Sequence, residues 1–531
     1  MPTLFPMTLM NSKYTDIRLA PPFDEWAELL TINSLDNSRL DGLRTAAKQR
    51  LVSAAENYVL RLHALADDAD LPANSSPVLT GQPDRQPIVL TGHQPVVFHS
   101  GLTFKYETTE RLAADSGAIA VAVMIDSDSG DAGQFSYPQA DAPGTDESCQ
   151  SGFAASATLE IESLARSNSL FAHARLKSGA ELQEVGELVS RQLNNLSLSG
   201  SASSVVRTFR EFAQLSAANA SAAEANTIVR RQRGIGGRIL EIPLSAISDF
   251  PEMLAFTADI LKQARRFAAA YNASLEVFRD ENGIRNAANP FPNLKITDES
   301  CELPFWAISH DRKSRHALEV QFEGNVTRLT ANNHTIDSFT GSITAESLEP
   351  MLLQNIQIVP RGALITAALR LLFSDLFVHG TGGGRYDRFT DEFIRTWWNI
   401  EPPPYTVASA SRYLFVADRH ELERLDAIRN QLRDLQYNPQ RHFDSSVFSE
   451  GLKSRLLRLC DAKTAAVENM KLARANGQSA KDIGATIQAI TNRVRNEVSA
   501  EFEPQLRRLT SLSAEHRDAT NCRTYPWFMF S

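Results

Sequence analysis

Two histidines, a glutamine and a lysine lie close together in the segment 91–106, TGHQPVVFHSGLTFKY. His93 and His99 carry imidazoles, whose pKa is ordinarily near neutral pH, so either could move a proton in catalysis. Gln94 could bind an amide or hydroxyl group of a ligand, or cap the helix that follows. The segment predicts a catalytic loop. The alternative is that one histidine only satisfies backbone groups in a tight turn.

Lys105 falls in the first turns of the helix predicted after this loop. Its ammonium could reach an anion held at the helix N-terminus. It could equally extend along the surface into solvent, as most lysines do. Both interpretations stay open at this stage.

Two carboxylates, Asp126 and Asp128, follow the apolar run 118–125, AIAVAVMI. Alternate residues of a strand share a face, so the two carboxylates could hold Mg²⁺ or orient an amine or a ribose hydroxyl. The D-x-D pattern is short and frequent, and we assign no metal ligands from it. Its position after a buried strand favours an active-site edge.

A second glycine-rich motif, HGTGGGRYD, occupies residues 379–387. Glycines let backbone N–H groups approach a ligand closely and cradle an anion. The motif matches neither the P-loop nor the dinucleotide-binding pattern, and a tight structural turn is the alternative. The candidate ligand-binding residues of this motif are His379, Gly382, Gly383, Gly384, Arg385, Tyr386 and Asp387.

Strands and helices predicted around these motifs bring them to one place. Residues 87–90 and 118–125 resemble buried strands, and 102–114 has helical spacing, which predicts a βαβ unit. A right-handed crossover opens the loop after the first strand and the aspartates after the second at the same carboxyl edge of a parallel sheet, where α/β proteins bind ligands. An apolar helix over 360–377 and a strand over 405–410 return the chain to this core.

The chain of 531 residues is long enough for two to four domains. We predict an α/β fold with a discontinuous core and an α/β insertion that contains a helix over 205–233. Apolar residues repeat at threes and fours over 422–435 and 483–502, which predicts an antiparallel pair of helices forming a coiled coil. We favour a dimerisation arm over a helical cover on the core. The predicted parts are 1–152 and 346–415 for the core, 153–345 for the insertion, 416–515 for the coiled coil and 516–531 for a tail that returns to the core.

Composition excludes some classes of function. The formal charge of -9 gives no general attraction to nucleic acid or anionic lipid, and no apolar run is long enough to span a bilayer. We therefore expect neither nucleic acid nor membrane as a partner. The four cysteines form no C-x-x-C pair, which indicates a reduced, cytoplasmic setting. These are Cys149, Cys301, Cys460 and Cys522.

The TGHQ loop, the D-x-D strand end and the HGTGGGRYD turn, followed by the helical region, resemble the cysteine-adding enzymes of bacillithiol biosynthesis (BshC). The resemblance runs from about residue 88 to the end, on few and short motifs. Thr91, Gly92 and Gln94 match the first loop of that family, and His93 replaces its usual glutamine. Asp126 and Asp128 match part of an acidic run. Gly382, Gly383 and Tyr386 match the later turn.

This resemblance implies a Rossmann-like parallel core with a coiled coil that makes a homodimer. It also implies a carbon-nitrogen ligase that adds an amino acid, cysteine in the family, to the amine of an amino-sugar malate conjugate. The catalytic residues would then be His93, His99, Asp126 and Asp128, and the substrate-binding residues Thr91, Gly92, Gln94, Lys105 and those of the second motif. The cofactor stays open, with ATP or ADP and Mg²⁺ as the candidate.

Two alternatives are kept beside this prediction. A nucleotidyltransferase-like enzyme on the same core would use Asp126 and Asp128 as Mg²⁺ ligands. A protein without catalytic activity would instead bind a ligand in the core and a partner through the coiled coil.

Overall fold

A computed structural model describes residues 13–32, 40–72, 86–130, 133–140, 154–161, 170–286, 289–310, 313–511 and 514–530. Cys149 and most of the loop that follows Asp126 lie outside these residues. The strands are β1 (Thr15–Ala20), β2 (Ile88–His93), β3 (Ile119–Met124), β4 (Gln134–Ala140), β5 (Ala154–Glu160), β6 (Leu240–Pro243), β7 (Ser300–Ser309), β8 (Ser314–Glu323), β9 (Val326–Ala331), β10 (His334–Thr340), β11 (Ile356–Pro360), β12 (Leu376–His379) and β13 (Tyr405–Ser411).

The α-helices alternate with these strands over much of the chain. They are α1 (Trp26–Leu29), α2 (Asp41–Asp68), α3 (Ser100–Ser116), α4 (Gly179–Asn195), α5 (Ser199–Ala217), α6 (Ala222–Gln232), α7 (Leu244–Ser248), α8 (Pro251–Leu261), α9 (Ala264–Glu281), α10 (Ala345–Leu353), α11 (Ala363–Leu372), α12 (Thr381–Trp398), α13 (Val416–Tyr437), α14 (Glu450–Ala475), α15 (Lys481–Ser511) and α16 (Ala514–Asn521). The prediction of an α/β fold is confirmed. None of the helices in the described residues is long and apolar enough to cross a membrane.

The chain divides into two compact units. The first contains Met1–Tyr137, Ala157–Arg412 and Arg523–Ser531, and the second contains Pro138–Ser156 and Tyr413–Cys522.

A sheet with strand order β1-β13-β12-β2-β3-β6 forms the centre of the first unit. All neighbouring pairs are parallel except β1 with β13, which is antiparallel. Every residue of β3 is buried, as expected for a central strand covered by helices on both faces. The carboxyl ends of the parallel strands therefore lie along one edge of the sheet. That edge carries both glycine motifs.

Strand β6 lies within the residues predicted as an insertion, yet it pairs with β3. Its apolar residues Leu240 and Ile242 are buried in the main core. The segment 153–345 therefore supplies an edge strand to the central sheet. The same segment contributes strands to a second, antiparallel sheet of the first unit, with order β10-β9-β8-β7-β11.

The predicted helix over 360–377 is wrong at both ends. Its first residue ends β11, and its last two belong to β12, between β13 and β2. Asp375 separates α11 from β12, because its carboxylate accepts hydrogen bonds from Ile88 N (2.6 Å) and Lys48 Nζ (2.7 Å). These bonds attach the turn to the neighbouring strand β2 and stop the helix.

The predicted helix over 205–233 is also wrong, because the chain forms α5 and α6 instead. Asn219 has a positive φ of 60°, which ends the first helix. Ser221 and Glu224 then make a reciprocal capping box that begins the second. The capping box lies inside an apolar repeat. The repeat predicted one continuous helix and so concealed the start of the second.

Helices α13, α14 and α15 build the core of the second unit. Leu435 of α13, Leu452 and Leu456 of α14, and Val494 and Val498 of α15 are buried in one cluster. The predicted pair of helices therefore omitted α14.

Candidate functional site

The carboxyl edge of the central sheet gathers residues from both predicted motifs. His93 ends β2, His379 ends β12, and Asp126 and Asp128 lie just beyond β3. Strands β2 and β12 pair in register, Thr91 opposite Val378. The side chains of these residues nevertheless do different things.

His93 is held as a neutral imidazole. Its Nδ1 lies 3.1 Å from the backbone oxygen of Gln94. A carbonyl oxygen can only accept a hydrogen bond, so Nδ1 carries the proton and Nε2 carries the lone pair. Burial lowers the pKa of His93 to about 3. At neutral pH His93 is therefore uncharged, and its Nε2 can accept a hydrogen bond, but a group with so low a pKa is only a weak base.

His99 caps helix α3. Its Nδ1 accepts a hydrogen bond of 3.1 Å from Gly101 N, and the residue is the N-cap of the helix. Burial lowers its pKa to about 4, so it also stays neutral. Of the two histidines, His99 satisfies backbone groups, and we assign it a structural role.

Lys105 is almost completely buried, with 2% of its surface exposed. Its Nζ donates a hydrogen bond of 2.7 Å to the backbone oxygen of Gly92. Burial lowers the pKa of Lys105 to about 7. The lysine neither extends into solvent nor lies at the mouth of a cavity. It fastens the end of β2 to α3.

Thr91 and Gly92 also act within the sheet. Thr91 Oγ1 donates a hydrogen bond of 2.8 Å to Val378 O of β12. A Cβ atom at Gly92 would lie 2.9 Å from Val123 O of β3. The glycine is needed because two strands approach closely there.

Asp126 and Asp128 do not share a face, because β3 ends before them and they lie in a turn. Asp126 is buried and accepts hydrogen bonds from Ser245 N (3.0 Å) and Ser245 Oγ (2.5 Å). Burial raises the pKa of the Asp126 carboxyl. Asp128 accepts hydrogen bonds from Gln94 Nε2 and from Arg315 Nη1, the latter at 2.6 Å.

These contacts do not fit a magnesium site. Within the ranges described, no group of three or more histidine, cysteine, aspartate or glutamate residues could hold a metal ion. Each carboxylate is directed at a protein donor and not at the other carboxylate. We therefore derive no step through Mg²⁺ or a nucleotide.

The second motif forms the first turns of helix α12 and not a loop. Gly380 is the N-cap, and the helix begins at Thr381. A Cβ at Gly383 would lie 2.6 Å from His379 Nδ1, and a Cβ at Gly384 would overlap the side chain of Val407 on β13. Two of the glycines therefore allow the helix to pack on the sheet.

The polar residues of this motif form a buried ion-pair network. Asp387 accepts from His379 Nε2 (2.9 Å) and Arg370 Nη1 (2.7 Å). Burial raises the pKa of the Asp387 carboxyl. The charges of His379 and Arg370 lower it by a larger amount, so the pKa lies below its ordinary value. The network holds α12 against β12 and occupies His379 Nε2 and Asp387 Oδ2.

The remaining residues of the motif are Gly382, Arg385 and Tyr386. Gly382 and Arg385 are exposed. The ring of Tyr386 lies 6.1 Å, centroid to centroid, from Phe291. Phe291 in turn lines a cleft, so Tyr386 supports one of its walls.

This cleft, which we call the aromatic cleft, has a volume of about 290 Å³ and lies beside the turn after β3. Its walls are largely apolar and include three aromatic rings, one carboxylate and one guanidinium. The main lining residues are Asp128, Tyr271, Phe291, Trp306, Arg361 and Ile365.

Two arginines stack on Trp306, and one of them, Arg361, lines the cleft. The guanidinium carbon of Arg315 lies 4.5 Å from the ring centroid, and that of Arg361 lies 4.4 Å from it. Arg315 is paired with Asp128, and Arg361 is paired with Glu302. Each arginine has five N–H donors, so the pairing leaves donors that a ligand could use.

A second, smaller cavity lies beneath the TGHQ loop, and we call it the loop pocket. It is lined by His93, Gln94, Phe98, Asn226, Glu241 and Trp527, among others. Gln94 lines this pocket and also binds Asp128 of the aromatic cleft. The two cavities are therefore neighbours at the same edge of the sheet.

Sequence reasoning missed several polar residues of the loop pocket. Glu241 is fully buried in β6, where it is paired with Arg230 (2.7 Å) and Arg231 (3.4 Å) of α6. A lone carboxylate inside the apolar run ILEIPL was a signal that could have identified it. Asn226 carried no such signal. Arg361 of the aromatic cleft precedes an apolar helix, and no sequence pattern identified it either.

The fold and these cavities define an α/β protein with a candidate small-molecule site at the carboxyl edge of its central sheet. Comparison with protein families finds no family that matches this chain. Comparison with curated proteins finds no match either.

Replacement of Gly384 by alanine should destabilise the protein by about 1–3 kcal/mol, because the added Cβ overlaps Val407. The matched control is Gly382→Ala, which meets no atom within 4 Å and removes a glycine from a helix. This variant should be neutral or more stable by up to about 1 kcal/mol. Chemical denaturation of both variants checks the difference, and equal effects would contradict the packing role.

Replacement of Lys105 by methionine should change how stability depends on pH. Between about pH 7 and 10.5 the unfolded chain holds a proton that the folded chain lacks, so wild-type stability rises with pH across that window. Below pH 7 the variant should be the more stable, by up to about 5 kcal/mol at about 1.4 kcal/mol per pKa unit. The unpaired Gly92 oxygen will reduce this gain.

Denaturant unfolding at pH 6, 7, 8.5 and 10 measures that difference. The control is Lys262→Met, at an exposed lysine, which should show no trend. A gap between Lys105→Met and wild type that stays constant with pH would mean that Lys105 is charged in the folded protein.

Proposed function

We propose that the protein forms an amide bond between an amino acid and the amine of an amino-sugar malate conjugate. It would be a cysteine-ligase-like enzyme of low-molecular-weight thiol (bacillithiol) biosynthesis, working in the cytoplasm. The resemblance in the TGHQ loop, the D-x-D strand end and the second glycine motif suggests the reaction. The structure adds support of a different kind.

The observation that carries the proposal is the polar pair in the aromatic cleft. The side chain of Asp128 is paired with Arg315 but stays 35% exposed, so it can accept a further hydrogen bond from an ammonium group. Arg361 is paired with Glu302 through Nη2 and keeps other N–H donors for a carboxylate. Free amino acids carry both groups. A cleft with one acidic and one basic residue among apolar walls is therefore complementary to an amino acid.

Sheet order supports the assignment of a Rossmann-like core. The parallel strands follow the order β13-β12-β2-β3-β6, which is the sequence 5-4-1-2-3 of a doubly wound fold. The strand order reverses between β2 and β12, and such folds bind ligands outside the carboxyl ends at that point. The TGHQ loop follows β2 directly.

Amide formation is compatible with a neutral His93. The attacking amine must be uncharged when its nitrogen bonds to the carboxyl carbon of an activated amino acid. His93 Nε2 carries a lone pair at neutral pH and can orient that amine by accepting a hydrogen bond from its N–H. Nucleotidyl transfer would instead require Mg²⁺ on Asp126 and Asp128, whose oxygens bind Ser245, Gln94 and Arg315.

We test the proposal by incubating the purified protein with cysteine and glucosaminyl-malate, with and without ATP and Mg²⁺, and by measuring the cysteinyl adduct by mass spectrometry. His93→Ala should lower the rate of adduct formation by up to about 100-fold, because the attacking amine loses the acceptor that orients it. His334→Ala, at an exposed histidine of β10, is the control and should retain full activity.

Absence of adduct from the wild-type protein under every condition would reject this reaction. Loss of adduct in both histidine variants would indicate damage to the fold and not a specific effect of removing the His93 imidazole. Ligand binding that persists without turnover would favour the alternative of a binding protein.

We also propose that the protein is a homodimer through its helical unit. Leu457 and Leu472 of α14 are 40% and 62% exposed, which supports an apolar contact on that helix. Sedimentation equilibrium should give twice the 58.7 kDa of one chain. Leu472→Glu should shift the mass toward one chain, and Leu353→Glu, at an exposed leucine of the first unit, should not. A wild-type mass of one chain would exclude the dimer.

A further inference from the structure

Asn226 of α6 is the least explained polar residue at the carboxyl edge. Only 6% of its surface is exposed. Neither its Nδ2 nor its Oδ1 has a hydrogen-bond partner among the residues that the structure describes. Buried amides almost always have partners, because an unpaired one loses its bonds to water without replacement. Asn226 therefore destabilises the free protein unless something else binds it.

The unpaired amide borders the loop pocket together with His93. The pocket has a volume of about 10 Å³, which admits one group the size of a water molecule. It could hold a single oxygen or nitrogen atom of a ligand, but not the body of one. The aromatic cleft next to it has the space for the remainder.

Charges around the loop pocket favour a negative atom there. Arg230 and Arg231 share the single carboxylate of Glu241, through Oε1. Two positive charges therefore face one negative charge in a buried environment, where electrostatic interactions are stronger than in water.

The guanidinium of Arg230 is held rigidly in this position. Its carbon lies 4.8 Å from the ring centroid of Phe98 and 4.7 Å from that of Tyr106. The positive charge is fixed before any ligand arrives, as in sites that stabilise a developing oxyanion.

We infer that Asn226 is a catalytic residue of acyl transfer: its Nδ2–H binds the carbonyl oxygen of the acyl donor in the loop pocket, where His93 Nε2 can accept a hydrogen bond from the attacking amine. The inference rests on the proposed amide-forming function. It adds to that function a hydrogen-bond donor that the sequence motifs do not contain.

The acyl donor is activated as a mixed anhydride with a phosphate-type group. The lone pair of the uncharged amine forms the carbon-nitrogen bond, and the carbonyl π pair moves to the oxygen bound by Asn226. The oxygen then re-forms the carbonyl. The phosphate-type leaving group departs with the pair of its broken carbon-oxygen bond and takes up the proton that the amine nitrogen loses.

Two substitutions at Asn226 test this role. Asn226→Leu removes the amide, and Asn226→Asp keeps the shape but replaces the Nδ2–H donor with an acceptor. Both should lower kcat by about 100-fold to 1,000-fold, the usual loss for one oxyanion donor. KM should change by less than about threefold, because the donor acts mainly in the transition state.

The melting temperature separates a catalytic from a structural role. Asn226→Leu should melt at or above the wild-type temperature, by about 1–3 °C, because it removes an unpaired buried amide. The matched control is Asn272→Leu. Asn272 of α9 donates to Leu294 O and accepts from Leu294 N, both at 2.8 Å. This control should melt below the wild-type protein.

Unchanged kcat in both Asn226 variants would overturn the inference. A melting temperature for Asn226→Leu as low as that of Asn272→Leu would also overturn it, because the amide would then have a structural partner. If the wild-type protein makes no adduct, the proposed function fails alone. A higher melting temperature for Asn226→Leu would still identify the loop pocket as a site kept polar for a ligand.

Discussion

Parallel pairing of β2 with β3 and β12 is the constraint on which the candidate site depends. Parallel neighbours require a crossover, and a helix provides it. Each strand therefore ends at the same edge, followed by a loop or a helix N-terminus. Residues almost 300 positions apart, such as Thr91 and Val378, become neighbours through this one rule. The TGHQ loop can reach the aspartates after β3 only because the two strands run the same way.

Buried polar groups then determine how rigid that edge is. Lys105 attaches the end of β2 to α3, and Arg370 attaches α12 to the sheet. Arg370 is 1% exposed and donates to Asp387 and to the backbone oxygen of Pro403. Removing one member of such a buried pair typically costs about 3–5 kcal/mol, because the other charge is left alone. These residues support the site mechanically, although their types resemble those of catalytic residues.

The sequence was informative where local patterns coincide with the three-dimensional neighbours. Continuous apolar runs identified β2 and β3, and the crossover rule correctly placed His93 and Asp128 at one edge. Their link through Gln94 follows from that placement. Periodicity failed where a strand is only four residues long, as in β12, or where a capping box divides an apolar repeat, as before α6.

The glycines of the second motif show a further limit of sequence reasoning. A run of glycines indicates that space or an unusual backbone is required, but it does not identify the neighbour. At Gly383 and Gly384 the neighbours are His379 and Val407 of the protein itself. Whether a glycine makes room for a ligand or for a side chain depends on packing between distant segments, which no local pattern encodes.

Hydrogen-bond satisfaction separates structural from functional polar residues better than residue type does. His379, Asp387 and Arg370 bind one another, so their polar atoms have little left for a ligand. The loop pocket differs, because Asn226 lacks partners at both amide atoms and Glu241 at Oε2 within the described chain. The hydroxyl of Thr257 is also buried and unpaired, but it does not line the loop pocket beside His93. Because an unpaired buried amide lowers stability, its presence at the carboxyl edge is explained by a ligand atom that binds it.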